Sequence, residues 1–200
     1  MVLPWHHNFS LYTGLLSALI IMPGYSAEQD VDIIATVVST TCQTEFSDNG
    51  IINLGTVGMN YFPDNVTAET DLAGGKTFTI TVLDCKDNGT GVSPSRLKID
   101  FKPKSGQLAT GNLQVFANED EQQPTGAKNV GIVIFSRQPG ETPFNVLQTD
   151  GSSRSVFPVT PSSLVNSSWQ FYARMQRVVN TTPPEAGEVK SSVLVDVHYE

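Results

Sequence analysis

The sequence predicts an all-β domain, read as an antiparallel β-sandwich, on three observations. Apolar residues recur at every second position in segment after segment, which is the period of a strand with one buried face. Gly, Pro, Asn and Asp cluster between those segments as turn signals. A single pair of cysteines, Cys42 and Cys85, stands in a chain with an export-type leader, where one disulfide is the default. No stretch carries convincing helical periodicity, and neither a second domain nor an internal repeat is visible.

The elements follow in chain order. Residues 11–22, LYTGLLSALIIM, form an apolar run too short to span a bilayer but suited to a signal-peptide core. Gly24 and Ser26 place small residues at the −3 and −1 positions of a cut before Ala27. The leader departs from the usual pattern in having no Lys or Arg ahead of its apolar run. The expected division is residues 1–26 as signal peptide, 27–41 as an N-terminal extension and 42–200 as the folded domain.

Gln29 to Val38 reads QDVDIIATVV, with Val31, Ile33, Ala35 and Val37 on one face. Asp30, Asp32 and Thr36 share the other face with the apolar exceptions Ile34 and Val38. This is either the first strand of the sandwich or a strand offered to another molecule's sheet edge. Lys76–Cys85 and Arg96–Lys102 alternate cleanly. Leu113–Phe116 reads as a short strand, and Val130–Ser136, VGIVIFS, as a more deeply buried one. In Trp169–Val178, residues Trp169, Phe171, Ala173 and Met175 face in, while Gln170, Arg174 and Gln176 face out. Val193 to Tyr199, VLVDVHY, is the last strand. Turns are expected at Asp48-Asn49-Gly50, Gly74-Gly75, Asp87-Asn88-Gly89, Pro139-Gly140, Asp150-Gly151 and Pro183-Pro184, and the polar segment Asn118–Lys128 reads as a loop.

Composition narrows the function. Twelve Lys and Arg against 20 Asp and Glu give a net charge of −8, so a nucleic-acid backbone binder is disfavoured. Loss of the leader leaves His198 as the lone histidine, too few for a His-based metal site. Gly74-Gly75-Lys76-Thr77 resembles the end of a P-loop, but Thr70 stands where its first glycine belongs and a strand follows. No G-x-S-x-G elbow occurs. Glu119-Asp120-Glu121 lacks the spacing of a calcium loop and reads as solvated. No catalytic residue, metal ligand or small-molecule cofactor is expected, and the chain is not read as an enzyme.

The C-terminus carries a family resemblance. Gly187–Glu200, GEVKSSVLVDVHYE, has a Gly fourteen residues from the end, alternating Val193, Val195 and Val197, and a penultimate Tyr199. Asn53-Leu54-Gly55, Ala127–Ile134 (AKNVGIVI) and Phe171–Met175 (FYARM) follow in order, and Cys42 comes after a short N-terminal strand. In these respects the chain resembles subunits assembled by the chaperone–usher pathway, of the type 1-like minor or adaptor class.

That resemblance implies an incomplete immunoglobulin-like β-sandwich completed by a donor strand from another chain. Val31, Ile33, Ala35 and Val37 would be the donor residues; Ala35 stands where many family members place Gly. Each buried Val or Ile is worth roughly 1.5–3 kcal/mol. Gly187, Val193, Val195, Val197, Tyr199 and Glu200 would form the chaperone and assembly strand. The implied partners are a periplasmic pilus chaperone, an outer-membrane usher and neighbouring fimbrial subunits, with export through the periplasm to a surface fimbria. The alternative is a single-domain adhesin that binds a host receptor directly. The length after the leader is expected to hold one such domain and no separate lectin domain.

Overall fold

The structure is a computed structural model that describes residues 42–85 and 94–200 in full and residues 32–37 by their backbone. Its elements, in order, are strands β1 (Asp32–Val37), β2 (Cys42–Phe46), β3 (Ile51–Asn53), β4 (Lys76–Cys85), β5 (Arg96–Pro103), β6 (Val130–Ser136), β7 (Phe144–Asn145) and β8 (Val156–Pro158). A single helical turn, α1 (Pro161–Leu164), precedes β9 (Ser167–Arg177) and β10 (Ser191–Tyr199). The chain is all-β, and its strands form two open five-stranded sheets, ordered β3-β1-β10-β5-β8 and β2-β4-β9-β6-β7. This architecture is consistent with the expected incomplete immunoglobulin-like sandwich.

Alternation explains the inter-sheet core. Phe78, Ile80 and Val82 of β4 and Phe171, Ala173 and Met175 of β9 meet Leu97, Ile99 and Phe101 of β5 and Val193, Val195 and Val197 of β10. Phe171 lies at the centre, its ring 4.9 Å from Phe101, 5.7 Å from Phe78 and 6.4 Å from Phe157. Cys42 and Cys85 face one another across β2 and β4 and form a disulfide. Its loop of roughly 44 residues removes about 4 kcal/mol of entropy from the unfolded chain. The double variant Cys42→Ser, Cys85→Ser should lose about that much in urea unfolding, and a loss under about 1 kcal/mol would contradict the entropic account.

The turn chemistry reads through into structure. Asp48, Asn49 and Gly50 all take positive φ, a conformation that Asp, Asn and Gly tolerate best. They carry the chain from β2 in one sheet to β3 in the other. The Gly74-Gly75 pair leads directly into β4. Asp87-Asn88-Gly89 lies outside the described residues. Leu113–Phe116, by contrast, is not a strand. Asn112 accepts from the Val115 amide through its carbonyl and from the Gln114 amide through its side chain, at 3.2 and 3.1 Å. This turn occupies donors that a ladder would need, and only Phe116 reaches β6, bridging Ile132.

A second correction concerns β9. Gln170, Arg174 and Gln176 do point away from the inter-sheet core, but Arg174 is 1% exposed and Gln176 2%. Residues 62–75 and 109–117 cover that face of the sheet. They enclose a second apolar cluster of Ala68, Ala109, Val115, Val133, Phe135, Tyr172 and Val178. This is why every residue of β6 is buried. The covering segment is fastened by side chains of β9. Arg174 donates to the Thr67 and Thr70 carbonyls at 3.1 and 2.7 Å. Gln176 donates to Val66 at 3.2 Å and the Tyr172 hydroxyl to Leu72 at 2.9 Å. Arg177 donates to the Asp64 carboxylate at 2.5 Å and to the Phe62 carbonyl.

Burial pushes the Tyr61 phenol, beside this network, up to about 12, against the pull of the Arg174 guanidinium. Above about pH 10 the unfolded chain loses this proton while the native chain keeps it, so stability falls as pH rises. Tyr61→Phe should flatten this alkaline limb in pH-dependent denaturation; an unchanged slope between about pH 10 and 12 would contradict it.

Candidate functional site

The site is the channel between β3 and β10. Both edges belong to the folded domain, yet they do not pair with one another. β1 lies between them and, among the described residues, is the only strand that joins them. It runs parallel to β10, with Ile33 opposite Ser191, Ala35 opposite Val193 and Val37 opposite Val195. It runs antiparallel to β3, with Asp32 opposite Asn53 and Ile33 opposite Ile52. Without β1, sheet pairing would leave the β10 edge and the whole of β3 unmatched. Buried Val193, Val195 and Ile52 line this channel on the core side.

Of the expected donor residues, Ile33, Ala35 and Val37 fall within β1, and Val31 lies outside the described residues. The leader, with its cut site, also lies outside them. The expected assembly strand is β10. Val193, Val195, Val197 and Tyr199 are all buried, at 1%, 1%, 0% and 9% exposure.

Gly187 is not on that strand. It precedes β10 by several residues and packs on the backbone of Gly126 and Ala127, where a Cβ would lie 2.2 Å from the Ala127 nitrogen. Glycine is required there because two main chains meet: the Ala127 amide donates to Glu188 at 2.9 Å and the Glu188 amide to Thr125 at 2.8 Å. Glu200 is tied to β5. Its carbonyl accepts from the Ser95 and Arg96 amides, and its carboxylate lies 3.5 Å from Lys98.

Some contributions to the site are silent in the sequence pattern. The acidic run in the 118–128 loop is not merely solvated. Glu119 accepts from both the amide and the hydroxyl of Ser192 at 3.0 Å, which holds the start of β10. Glu121 accepts from the Asn129 amide at 3.0 Å. Asn118, read as part of a polar loop, is buried and donates to the Ala127 and Glu188 carbonyls at 2.9 Å. None of these residues belongs to an alternating pattern, so only the spacing of carboxylate and amide in three dimensions reveals them.

On the outer face of the same sheet, Asp196 stands opposite Asp100 in the ladder. His198 Nδ1 lies 4.0 Å from Asp196 Oδ2. The donor atoms of these three residues lie within 4.8 Å of one another, a group able to meet a cation. His198 is thus half-buried beside carboxylates rather than a simple surface histidine.

Comparison with known proteins identifies the family. A family profile described as "Fimbrial protein" matches residues 31–200. The chain is 48% identical over 174 residues to a protein of Escherichia coli (strain K12) described as the uncharacterized fimbrial-like protein YadK, covering 87% of this chain and 86% of that one. A profile match that runs from the groove-filling strand to the last residue, together with a relative alike over nearly its whole length, places this chain in the fimbrial protein family.

Proposed function

We propose that the chain is a structural subunit of a bacterial surface fimbria that polymerises by donor-strand complementation and so contributes to adhesion. The observation that carries this reading is the sheet order: among the described residues, a strand from the N-terminal extension is the sole link between β3 and β10. A domain built this way needs a strand that the described residues 42–85 and 94–200 do not supply. An empty channel would expose apolar side chains and unpaired backbone groups, a state prone to aggregate. A periplasmic chaperone would lend a strand during export, an usher would receive the complex, and the extension of the next subunit would replace the chaperone. Val31, Ile33, Ala35 and Val37 are the proposed donor residues, with residues 1–26 as the export signal.

The test is coexpression with candidate periplasmic chaperones, followed by addition of a synthetic peptide spanning residues 28–38. The peptide should displace the chaperone and leave a folded, monomeric complex, while a scrambled peptide should not. Deleting residues 193–200 should abolish recovery of the chaperone complex. Normal copurification of that truncated chain, or failure of the peptide against every chaperone that binds, would overturn the proposal.

A further inference from the structure

We infer that Asp100, Asp196 and His198 form a binding site for a divalent transition-metal cation of the Zn2+ type, placed across β5 and β10 on the outer face of their sheet. The site goes beyond the fimbrial reading and does not depend on whether the chain polymerises.

The backbone brings the three residues together. β5 and β10 pair over seven positions, with Asp100 directly opposite Asp196 and His198 opposite Lys98. His198 follows Asp196 by two residues, so both side chains leave the same face of β10. All three lie on long regular strands rather than on loops, which sets the donor positions before any cation arrives.

Two further observations point to a cation as the ligand. First, like charges that stand directly opposite one another in a ladder repel. Among the described residues, neither Asp100 nor Asp196 pairs with a lysine or arginine. The neighbouring Lys98 is turned to the Glu200 carboxylate at 3.5 Å. Second, Asp196 Oδ1 has less than 1 Å² exposed to solvent and no hydrogen-bond partner among the described residues. A carboxylate oxygen withdrawn from water and left unmatched is costly. The imidazole does not satisfy this carboxylate by itself, because His198 Nδ1 stands 4.0 Å from Asp196 Oδ2, beyond hydrogen-bond reach.

The donor set selects the class of cation. The three ligand atoms lie within 4.8 Å of one another. Bonds of about 2.1 Å in tetrahedral array place ligand atoms about 3.4 Å apart, so the side chains need to close by roughly 1 Å through rotation about their own bonds. Imidazole beside carboxylates suits Zn2+ and its first-row neighbours, whereas Ca2+ and Mg2+ prefer sets made of oxygen alone. The His198 and Asp196 side chains are 25% and 32% exposed, which leaves water access to complete the coordination. A single histidine suffices because carboxylates supply the other two protein ligands. A bound cation ties β10, the edge of the channel, to β5, and binding to the native state alone raises stability by mass action.

The experiment uses the full exported chain, carrying no histidine tag, stripped with a chelator and dialysed. Zn2+ alone is titrated by calorimetry, and Co2+ serves as an absorbance reporter of coordination. One cation should bind per chain, and the unfolding midpoint should rise with zinc. His198→Ala and Asp196→Asn should each weaken binding by about ten-fold or more. Asp100→Asn separates the metal role from a role in folding. Relief of the repulsion should leave the zinc-free chain at least as stable as the parent, while the gain on adding zinc should disappear. Calcium in large excess should not displace zinc.

The unmutated chain gives a direct check. His198 is the only histidine after residue 26, so one ring nitrogen resonance should shift on adding one equivalent of Zn2+. The inference is overturned by an unmoved His198 ring, by the absence of saturable binding with zinc on the order of millimolar, or by unchanged affinity in His198→Ala. Equal competition by calcium would also overturn it, since that marks diffuse attraction to an acidic surface.

Discussion

Replacing Arg174 by alanine is expected to destabilise the domain by about 3–5 kcal/mol, the cost of removing a buried guanidinium and leaving its buried carbonyl partners unmatched. The guanidinium donates to four acceptors: the carbonyls of Thr67, Thr70 and Met175 and the Gln176 side chain, at 2.6 to 3.1 Å. Its Cζ also lies 5.4 Å from the centre of the Phe135 ring. Burial pulls the Arg174 pKa below the ordinary arginine value. The charge is therefore expensive to bury, and its hydrogen bonds are what offset that cost. Alanine would leave the Thr67 and Thr70 carbonyls dry and unmatched, at about 1–3 kcal/mol for each buried group. The loss should appear in urea unfolding, with hydrogen exchange rising first in residues 62–75. Lysine should recover only part of the loss, since one ammonium cannot span the same fork. A cost below about 1 kcal/mol, or no local change in exchange, would show that the covering segment is held by apolar contacts alone.

Phe171→Ala should cost about 3–5 kcal/mol by opening a cavity at the centre of the sandwich. Phe171 is fully buried and packs against aromatic rings from both sheets: Phe78 in its own, Phe101 and Phe157 in the other. Edge-to-face geometry with Phe101 and Phe157 adds to the area term. Leucine should be tolerated better, because much of the lost volume is restored. Thermal and urea unfolding with the native disulfide intact would measure both variants. An alanine variant within about 1 kcal/mol of the parent would mean that the two sheets collapse to fill the gap.

Much of this architecture is legible in the linear chain, for a definite reason. Where one face of a strand is buried and the other is wet, the period of two in the sequence is the period of the structure. β4, β5 and much of β10 have this property, whereas β6 and the second half of β9 are covered on both faces and were legible from their length and apolar content; the bounds of all five were readable to within a few residues. β2, β3, β7 and β8 were not, because strands of two to five residues are too short to show a period. β7 and β8 pair only at their sheet edges. Leu113–Phe116 had an apolar pattern without the backbone freedom to form a ladder.

The amino-acid sequence by itself determined the fold class, the one disulfide, the long strands, the turn between β2 and β3 and the motifs of a fimbrial subunit. These are local properties: alternation, glycine conformation, and the absence of any other cysteine. Only the tertiary structure decided which polar residues are covered. Arg174 alternates as a solvent-facing residue would, and what buries it is a segment about a hundred residues away in the chain. The tertiary structure also decided where the N-terminal strand lies. Alternation says that a strand has an apolar face, but it carries no information on which edge pairs with that strand or in which direction. Here the edges of β3 and β10, which pair with β1 and not with one another, supply the answer.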